Sequence, residues 1–326
     1  MSPKDKLQEI LGINRAVLAL SVSRMTDAAG NSILIIIIPL YVAQIPTEHI
    51  NLATPVLVGL LIGIFGFTLS FTQPLMGALS DKLNKRKSLI LVGLGIIAVS
   101  TFLFTFAASF FHLVILRILQ AIGAALTIPA SMSLMTAVTE QKSRGGSMGV
   151  FSSFRMVGFV VGPLLGGYLQ TYYGFNLAFH VGAGLIFLSM ILVSWWVDEV
   201  KIESNEKKER FAIFDKSLYS AGIITAALSV FVIACCFSMV TTLENAFNTR
   251  LNITAVGFSF AFSTLIITRL IFQIPLGYFS DNYGRRPFIL VGLIIMAAST
   301  IVLGEIQTMT QFIIIRLIQG FASAAV

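Results

Sequence analysis

A polar face lies within an apolar run near the amino end of the chain. Arg24, Asp27 and Asn31 are spaced three and four residues apart, which places all three on one face of a helix. An ionised side chain inside a membrane span costs about 3 kcal/mol, so it is a functional candidate by default. We expect this face to line a cavity in which Asp27 binds a proton or the cationic part of a substrate. The alternative is a purely structural ion pair between Arg24 and Asp27.

A second polar set, Arg117 and Gln120, is followed by Gly123 in another apolar run. A buried guanidinium needs an anion or a carbonyl oxygen as its partner. We expect Arg117 and Gln120 to contribute to a proton or substrate site, with Asp27 as one candidate partner of Arg117. The alternative is that the two side chains only form hydrogen bonds between helices. Arg316 and Gln319 have the same spacing near the end of the sequence, and there a structural role is favoured.

The segment from Leu75 to Lys87 occurs twice, at an offset of 200 residues. Each copy follows one long apolar run and precedes another, so each is predicted to be a short polar loop between two membrane helices. The candidate latch residues are Gly77, Asp81 and Arg86 in the first copy and Gly277, Asp281 and Arg285 in the second, where Arg286 stands at the position of Arg86. One half of the chain is therefore predicted to be a second copy of the other, as a parallel repeat.

The composition predicts an all-α integral membrane protein. Of the 326 residues, 56% are hydrophobic and 11% are charged, whereas a soluble domain has about 25% charged residues. Most of the apolar runs reach the ~20 residues that a bilayer requires. They lie at about 17–44, 55–79, 88–107, 112–136, 145–170, 175–197, 217–243, 253–279 and 287–304, with a tenth that starts near residue 309. We predict a six-helix bundle at 1–197, a charged cytoplasmic linker at 198–215, and a second bundle at 216–326 that has about four helices and is cut short.

The positive charges are distributed asymmetrically along the chain. Of the 22 Lys and Arg residues, 16 fall in the amino tail and in four alternate connections, and Arg250 alone lies in the opposite connections. This is the pattern of the positive-inside rule. It predicts a multi-pass protein of the cell membrane with a cytoplasmic amino terminus, surrounded by lipid. The net charge of +7 is therefore an orientation signal and does not indicate a nucleic-acid partner.

Six and six helices, a charged linker and the doubled loop resemble the major facilitator superfamily of secondary transporters. Its loop pattern, Gly-x-x-x-Asp-Arg-x-Gly-Arg-Arg, is kept at Gly277, Asp281 and Arg285, with Asn282 in place of the first Arg. The first copy is less complete, since Lys82 and Asn84 replace the Arg and the second Gly. The resemblance implies two bundles that rock about a small-molecule substrate, a monomeric carrier, and loops that act as a conformational latch. It also implies a role in proton coupling for Arg117, which matches the position of the family's arginine in the fourth helix and shares a helix face with Gln120.

The fifth apolar run resembles a motif of the drug:proton antiporters, Gly-x-x-x-Gly-Pro-x-x-Gly-Gly. Its residues here are Gly158, Gly162, Pro163, Gly166 and Gly167. Glycines at every fourth position permit close approach of another helix, and Pro163 removes one backbone hydrogen bond and favours a bend. The resemblance implies export by exchange with protons. The alternative is that the motif is only a packing seam.

The sequence contains no phosphate-binding loop of the type Gly-x-x-x-x-Gly-Lys-Ser/Thr, so no ATP-driven pump is encoded in it. The three histidines lack a metal-ligand spacing, and neither an enzyme nor a cofactor is predicted. The favoured function is proton-coupled export of a small amphipathic or drug-like compound by alternating access. The alternatives are a proton symporter or uniporter that imports a polar metabolite, and an inactive truncated membrane protein.

Overall fold

Long apolar helices make up nearly all of the structure. The computed structural model describes residues 14–45, 52–200 and 220–326. The helices are α1 (Arg15–Val42), α2 (Thr54–Leu83), α3 (Arg86–Leu103), α4 (Phe110–Ala137), α5 (Arg144–Tyr173), α6 (Phe175–Trp196), α7 (Ala221–Thr242), α8 (Glu244–Leu251), α9 (Ala255–Tyr283), α10 (Arg285–Val302) and α11 (Met309–Ala325). Among these residues, nine helices are long and apolar enough to cross a membrane, and α11 is a shorter apolar helix of 17 residues. The predicted all-α membrane fold is confirmed.

Polar residues at the helix ends set where several helices begin. The Asn14 side chain accepts a hydrogen bond from the backbone N–H of Val17 at 2.8 Å and so caps α1. Ser109 caps α4 in the same way, and Thr308 and Gln311 form a capping box at the start of α11. These side chains satisfy backbone donors that have no partner within the helix.

The chain divides into two compact units, the first ending at Ser204 and the second beginning at Asn205. In the first unit, α1 packs against α5 and α6, while α4 packs against α2 and α3. In the second unit, α11 packs against α9 and α10. The pairings of α11 reproduce those of α4, as the predicted repeat requires. The division falls within the predicted linker, most of which lies outside the described residues.

The core of the first unit consists of two apolar clusters. One includes Leu20, Ile90 and Phe151, and the other includes Ile33 and Phe179. Helix α1 contributes its early residues to the first cluster and its later residues to the second. The middle of α1, where Asp27 lies, falls between the two sets.

Two details differ from the sequence-based expectations. The repeated polar segments are mostly helical, because α2 continues to Leu83 and α9 to Tyr283. The true connections are Asn84 and Lys85 in the first unit and Gly284 in the second, and both Asn84 and Gly284 adopt positive φ. Asn and Gly tolerate this backbone conformation better than other residues. The short helix α8 was not predicted.

Glu199 stabilises the start of α3 although it lies far away in sequence. Its carboxylate accepts hydrogen bonds from the backbone N–H groups of Lys87 and Ser88, at 3.0 and 3.2 Å. We therefore expect Glu199→Ala to lower the free energy of unfolding by about 1 kcal/mol, as loss of a helix cap does. Thermal unfolding in detergent measures the change. Asp198→Ala, an exposed acid one residue earlier, is the control, and equal shifts for both variants would contradict the capping role.

Candidate functional site

Arg24, Asp27 and Asn31 form one hydrogen-bonded set on α1. Arg24 Nη1 lies 2.5 Å from Asp27 Oδ2, and Asn31 Nδ2 donates to Asp27 Oδ1 at 2.7 Å. Each carboxylate oxygen therefore has its own donor. Asp27 is buried, with 4% of its surface exposed. The helical spacing read from the sequence thus places a compensated carboxylate inside the first unit.

A narrow recess adjoins Asp27 within the first unit. Its volume is about 10 Å³, which is near the space that the centre of one water molecule requires. Hydroxyl groups on α1, α4 and α6 surround it together with apolar side chains. The polar lining comprises Ser23, Arg24, Asp27, Thr127, Ser131 and Ser189. The site thus combines one carboxylate, one cation and several groups that both donate and accept hydrogen bonds.

Ser23 and Ser189 join α1 to α6 beside this recess. Their Oγ atoms lie 2.6 Å apart, and the Ser189 hydroxyl donates to the backbone carbonyl of Ser23 at 2.8 Å. Both residues are buried. Because the contact joins two helices, it fixes the register of α1 next to Asp27.

Arg117 and Gln120 bind each other instead of Asp27. Arg117 Nη1 donates to Gln120 Oε1 at 3.2 Å, and Gln120 Nε2 donates to Thr101 Oγ1 at 2.9 Å. The Arg117 guanidinium also lies over the ring of Phe65, 5.2 Å from its centre. The expectation that Asp27 is a partner of Arg117 is therefore wrong. The partners observed are an amide oxygen on the same helix and an aromatic face.

The second unit repeats this polar set atom for atom. Arg316 Nη1 donates to Gln319 Oε1 at 2.9 Å, and Gln319 Nε2 donates to Thr300 Oγ1 at 3.1 Å. Both the Arg and the Gln are 1% exposed. In each unit the Nε of the arginine has no hydrogen-bond partner among the described residues. The sequence pointed to Arg316 and Gln319 but missed the two threonines, which share the same 199-residue offset.

The glycines of α5 form the contact surface with α1. A Cβ atom at Gly158 would lie 2.8 Å from Ala28 Cβ, and one at Gly166 would lie 3.0 Å from the Ile33 carbonyl oxygen. At Gly162 the Ala29 carbonyl oxygen is closer still. Pro163 and Gly167 are also buried in this helix. The motif therefore brings α5 against the helix that carries Asp27.

The two repeated polar segments have different environments. In the first, Arg86 is buried, with Nε donating to Ser133 Oγ and Nη1 donating to Asn84 Oδ1, both at 2.6 Å. Its Nη2 lies 3.5 Å from Asp81. In the second, Asp281 and Arg285 are 3.0 Å apart, and both side chains are largely exposed.

The glycines of these segments have no close neighbours that would require a glycine. A Cβ atom at Gly77 would make an ordinary contact with Pro129, at 3.8 Å, and one at Gly277 would meet nothing within 4 Å. Their role in a latch stays a prediction.

Comparison with known proteins points to one family. The family model of the Major Facilitator Superfamily matches residues 20–247 and 226–326. An uncharacterized MFS-type transporter of Methanocaldococcus jannaschii is 26% identical over 254 residues, which are 75% of this chain and 64% of the relative. The multidrug resistance protein MdtG of Salmonella choleraesuis is 26% identical over 305 residues, or 91% of this chain and 74% of the relative. The chain thus spans only part of the length of these relatives.

Two solved structures share the fold. A bacterial homologue of the human lysosomal transporter Spinster, in an inward-facing and unoccupied conformation, aligns with a TM-score of 0.75 at 19% identity. The match covers 95% of this chain and 72% of that one. The nucleoside transporter NupG aligns with a TM-score of 0.73 at 13% identity, over 95% of this chain and 80% of that one. At these identities the likeness shows the fold alone.

Proposed function

Because the chain belongs to the Major Facilitator Superfamily, we propose that it is a secondary active transporter that exports a small amphipathic or drug-like compound in exchange for protons. The observation that carries this proposal is the buried Asp27 carboxylate, with one donor on each oxygen and a hydroxyl-lined recess beside it. A carboxylate in such a place can gain and lose a proton, and each change alters its attraction for Arg24.

The physical basis of coupling is the loss of charge compensation. When Asp27 is ionised, it neutralises Arg24 across the 2.5 Å contact. When a proton binds to Asp27, the pair carries a net positive charge in a poorly solvated place, which is unfavourable. A rearrangement that hydrates Arg24, or supplies another anion, relieves this cost. Proton binding at Asp27 thereby favours one conformation of the transporter over another.

Export of drug-like compounds is supported by two findings. The α5 residues resemble the antiporter motif, and they pack directly on the helix that bears Asp27. Several relatives of this chain are named multidrug resistance proteins, one of them 26% identical over 305 residues. The proposal includes a place in the cell membrane with a cytoplasmic amino terminus, which the distribution of Lys and Arg supports, and a monomeric state, which the family resemblance implies.

The proposal also assigns a latch function to the two repeated segments. Arg86 is anchored by Ser133 and Asn84 and makes only a 3.5 Å contact with Asp81, whose side chain is 75% exposed and so is accessible to another helix. Asp281 and Arg285 form an exposed pair that can be exchanged for other contacts at little cost, because exposed ion pairs contribute about 0–1 kcal/mol.

The test is proton-driven transport in liposomes that contain the purified protein. With a pH gradient imposed, we expect Asp27→Asn to reduce substrate-dependent proton movement at least ~100-fold, because an amide cannot bind the proton; such a factor is typical of removing a positioned acid–base group. The control is Asp198→Asn, the same chemical change at an exposed acid. It should transport protons at the rate of the unaltered protein.

Undiminished proton movement in Asp27→Asn would reject the role of Asp27. The direction of proton movement decides the class of transporter. Protons that move opposite to the substrate support exchange, whereas protons that move with it would replace the proposal by symport of an imported compound.

A further inference from the structure

Glu244 is a buried carboxyl group that the proposed mechanism does not use. It begins the short helix α8, between the membrane-length helices α7 and α9. Its exposed fraction is 0%. Neither carboxyl oxygen accepts a hydrogen bond from the described residues, and the same is true of the Oδ1 atom of Asn248, one turn later. Three acceptor oxygens without donors thus lie on one face of α8.

An ionised carboxylate is unfavourable in this environment. Burial raises the pKa of Glu244 well above its usual value of 4.5, and a hydrogen bond that the Asn248 amide can donate to the ionised form opposes the shift only in part. The amino end of a helix also favours a negative charge, but by only about 0.3–1 kcal/mol. Desolvation therefore dominates and shifts the equilibrium of Glu244 toward the neutral acid.

No positive charge among the described residues compensates Glu244. On α8, Arg250 is directed to the carbonyl of Gly304. Helix α7, which packs against α8, has no charged residue. The titratable groups on the surrounding helices and on the loop before α11 are Cys235, Cys236, Arg269, Tyr278, Asp281, Tyr283, Glu305 and Arg316. None of these contributes to the pKa shift of Glu244.

We propose that Glu244 is a proton-binding site in the second unit, separate from Asp27, in which the neutral carboxylic acid donates its O–H to Asn248 Oδ1. One proton then satisfies two of the three acceptor oxygens, because it supplies the donor that the site lacks. A metal ion fits less well, since three oxygens are fewer than the six to eight that Ca²⁺ takes. The proposal does not depend on the direction or the substrate of transport.

Infrared spectroscopy tests the protonation state directly. At pH 7 the purified protein should show the carbonyl stretch of a protonated carboxylic acid, and this band should be missing in Glu244→Gln. Its midpoint on raising the pH gives the pKa of Glu244. Asn248→Ala removes the acceptor that holds this proton, so the midpoint should move to lower pH; a move to higher pH would contradict the hydrogen bond to Asn248. Absence of the band in the unaltered protein at pH 7 would overturn the proposal.

Thermal unfolding as a function of pH is a second, independent test. A carboxyl with a raised pKa holds its proton more tightly in the folded protein, so its stabilisation is complete below pH 4.5 and is lost as the pH rises toward the folded-state pKa. In that window the Tm of the unaltered protein should fall by about 3 °C per pH unit relative to Glu244→Gln.

Glu305→Gln, which changes an exposed acid in the same unit, should follow the unaltered protein. Identical pH profiles for the unaltered protein and Glu244→Gln would contradict the proposal. A Tm that rises with sodium in the unaltered protein but not in Glu244→Gln would replace the proton by a metal ion.

Discussion

Gly162→Ala is expected to cost about 3 kcal/mol of the free energy of unfolding, the upper end for one added methyl group in a packed interior. The new Cβ atom would lie closer than 3.0 Å to the Ser32 hydroxyl and to the Ala29 carbonyl oxygen. A side-chain hydroxyl can rotate away, but the backbone of α1 cannot. The two helices must therefore separate along the whole contact.

Separation of α1 from α5 also breaks hydrogen bonds that the close approach permits. The Ser32 hydroxyl lies 3.2 Å from the carbonyl oxygens of both Gly158 and Ala29, and it can donate to either. Asp27 lies five residues before Ser32 on α1, so a shift of α1 moves the carboxylate relative to α5 and α6. We therefore expect Gly162→Ala to reduce transport in the fraction of protein that still folds.

The measurement is thermal unfolding in detergent, with transport by the folded fraction as the second reading. Gly149→Ala is the matched control, because it adds the same methyl group to the same helix where nothing lies within 4 Å. That change should be neutral or slightly stabilising, since Ala is the better helix former. Gly166→Ala, whose Cβ atom would meet the Ile33 carbonyl oxygen at 3.0 Å, should fall between the two. Equal stability of Gly162→Ala and Gly149→Ala would contradict the close packing of this seam.

The positions of the membrane helices could be read from the sequence because the bilayer imposes a strong and simple rule. Runs of about 20 apolar residues are needed, and polar residues gather at the ends. The rule is weaker where a helix continues into water. It placed Asp81 and Asp281 in loops, although α2 and α9 extend one or two turns beyond their apolar parts. Hydropathy alone cannot register such extensions, since an exposed helix end is as polar as a loop.

The partners of the buried polar groups were harder to predict. The set of Arg24, Asp27 and Asn31 could be recognised because all three lie on one helix at fixed spacing. Thr101 is on α3, and its contact with Gln120 depends on how α3 and α4 pack. The repeat held the missing information, since Thr300 stands 199 residues after Thr101 just as Gln319 stands after Gln120. Glu244 directly follows the apolar run at 217–243, but its burial could not be foreseen because α8 was not predicted.

Gln120→Leu is expected to cost about 3 kcal/mol of the free energy of unfolding in the first unit. The change removes the acceptor for Arg117 Nη1 and the donor to Thr101 Oγ1. It leaves Arg117, a residue that is 9% exposed, with only the ring of Phe65 as a partner among the described residues. Breaking one partner of a buried charged group typically costs about 3–5 kcal/mol, and the lower figure applies because Gln120 is neutral.

Gln319→Leu should have an effect of similar size in the second unit, because Arg316 and Thr300 make the equivalent contacts. Thermal unfolding of both variants measures the two losses, and Gln44→Leu, at an exposed glutamine after α1, serves as the control.

Transport rates distinguish a structural role of each arginine from a role in proton coupling. Arg117→Lys keeps the charge but loses the planar hydrogen-bonding group, and it should slow proton-coupled transport more than Arg316→Lys does. If the two lysine variants lose stability and transport alike, both arginines are structural and the role in coupling belongs to Asp27 without Arg117.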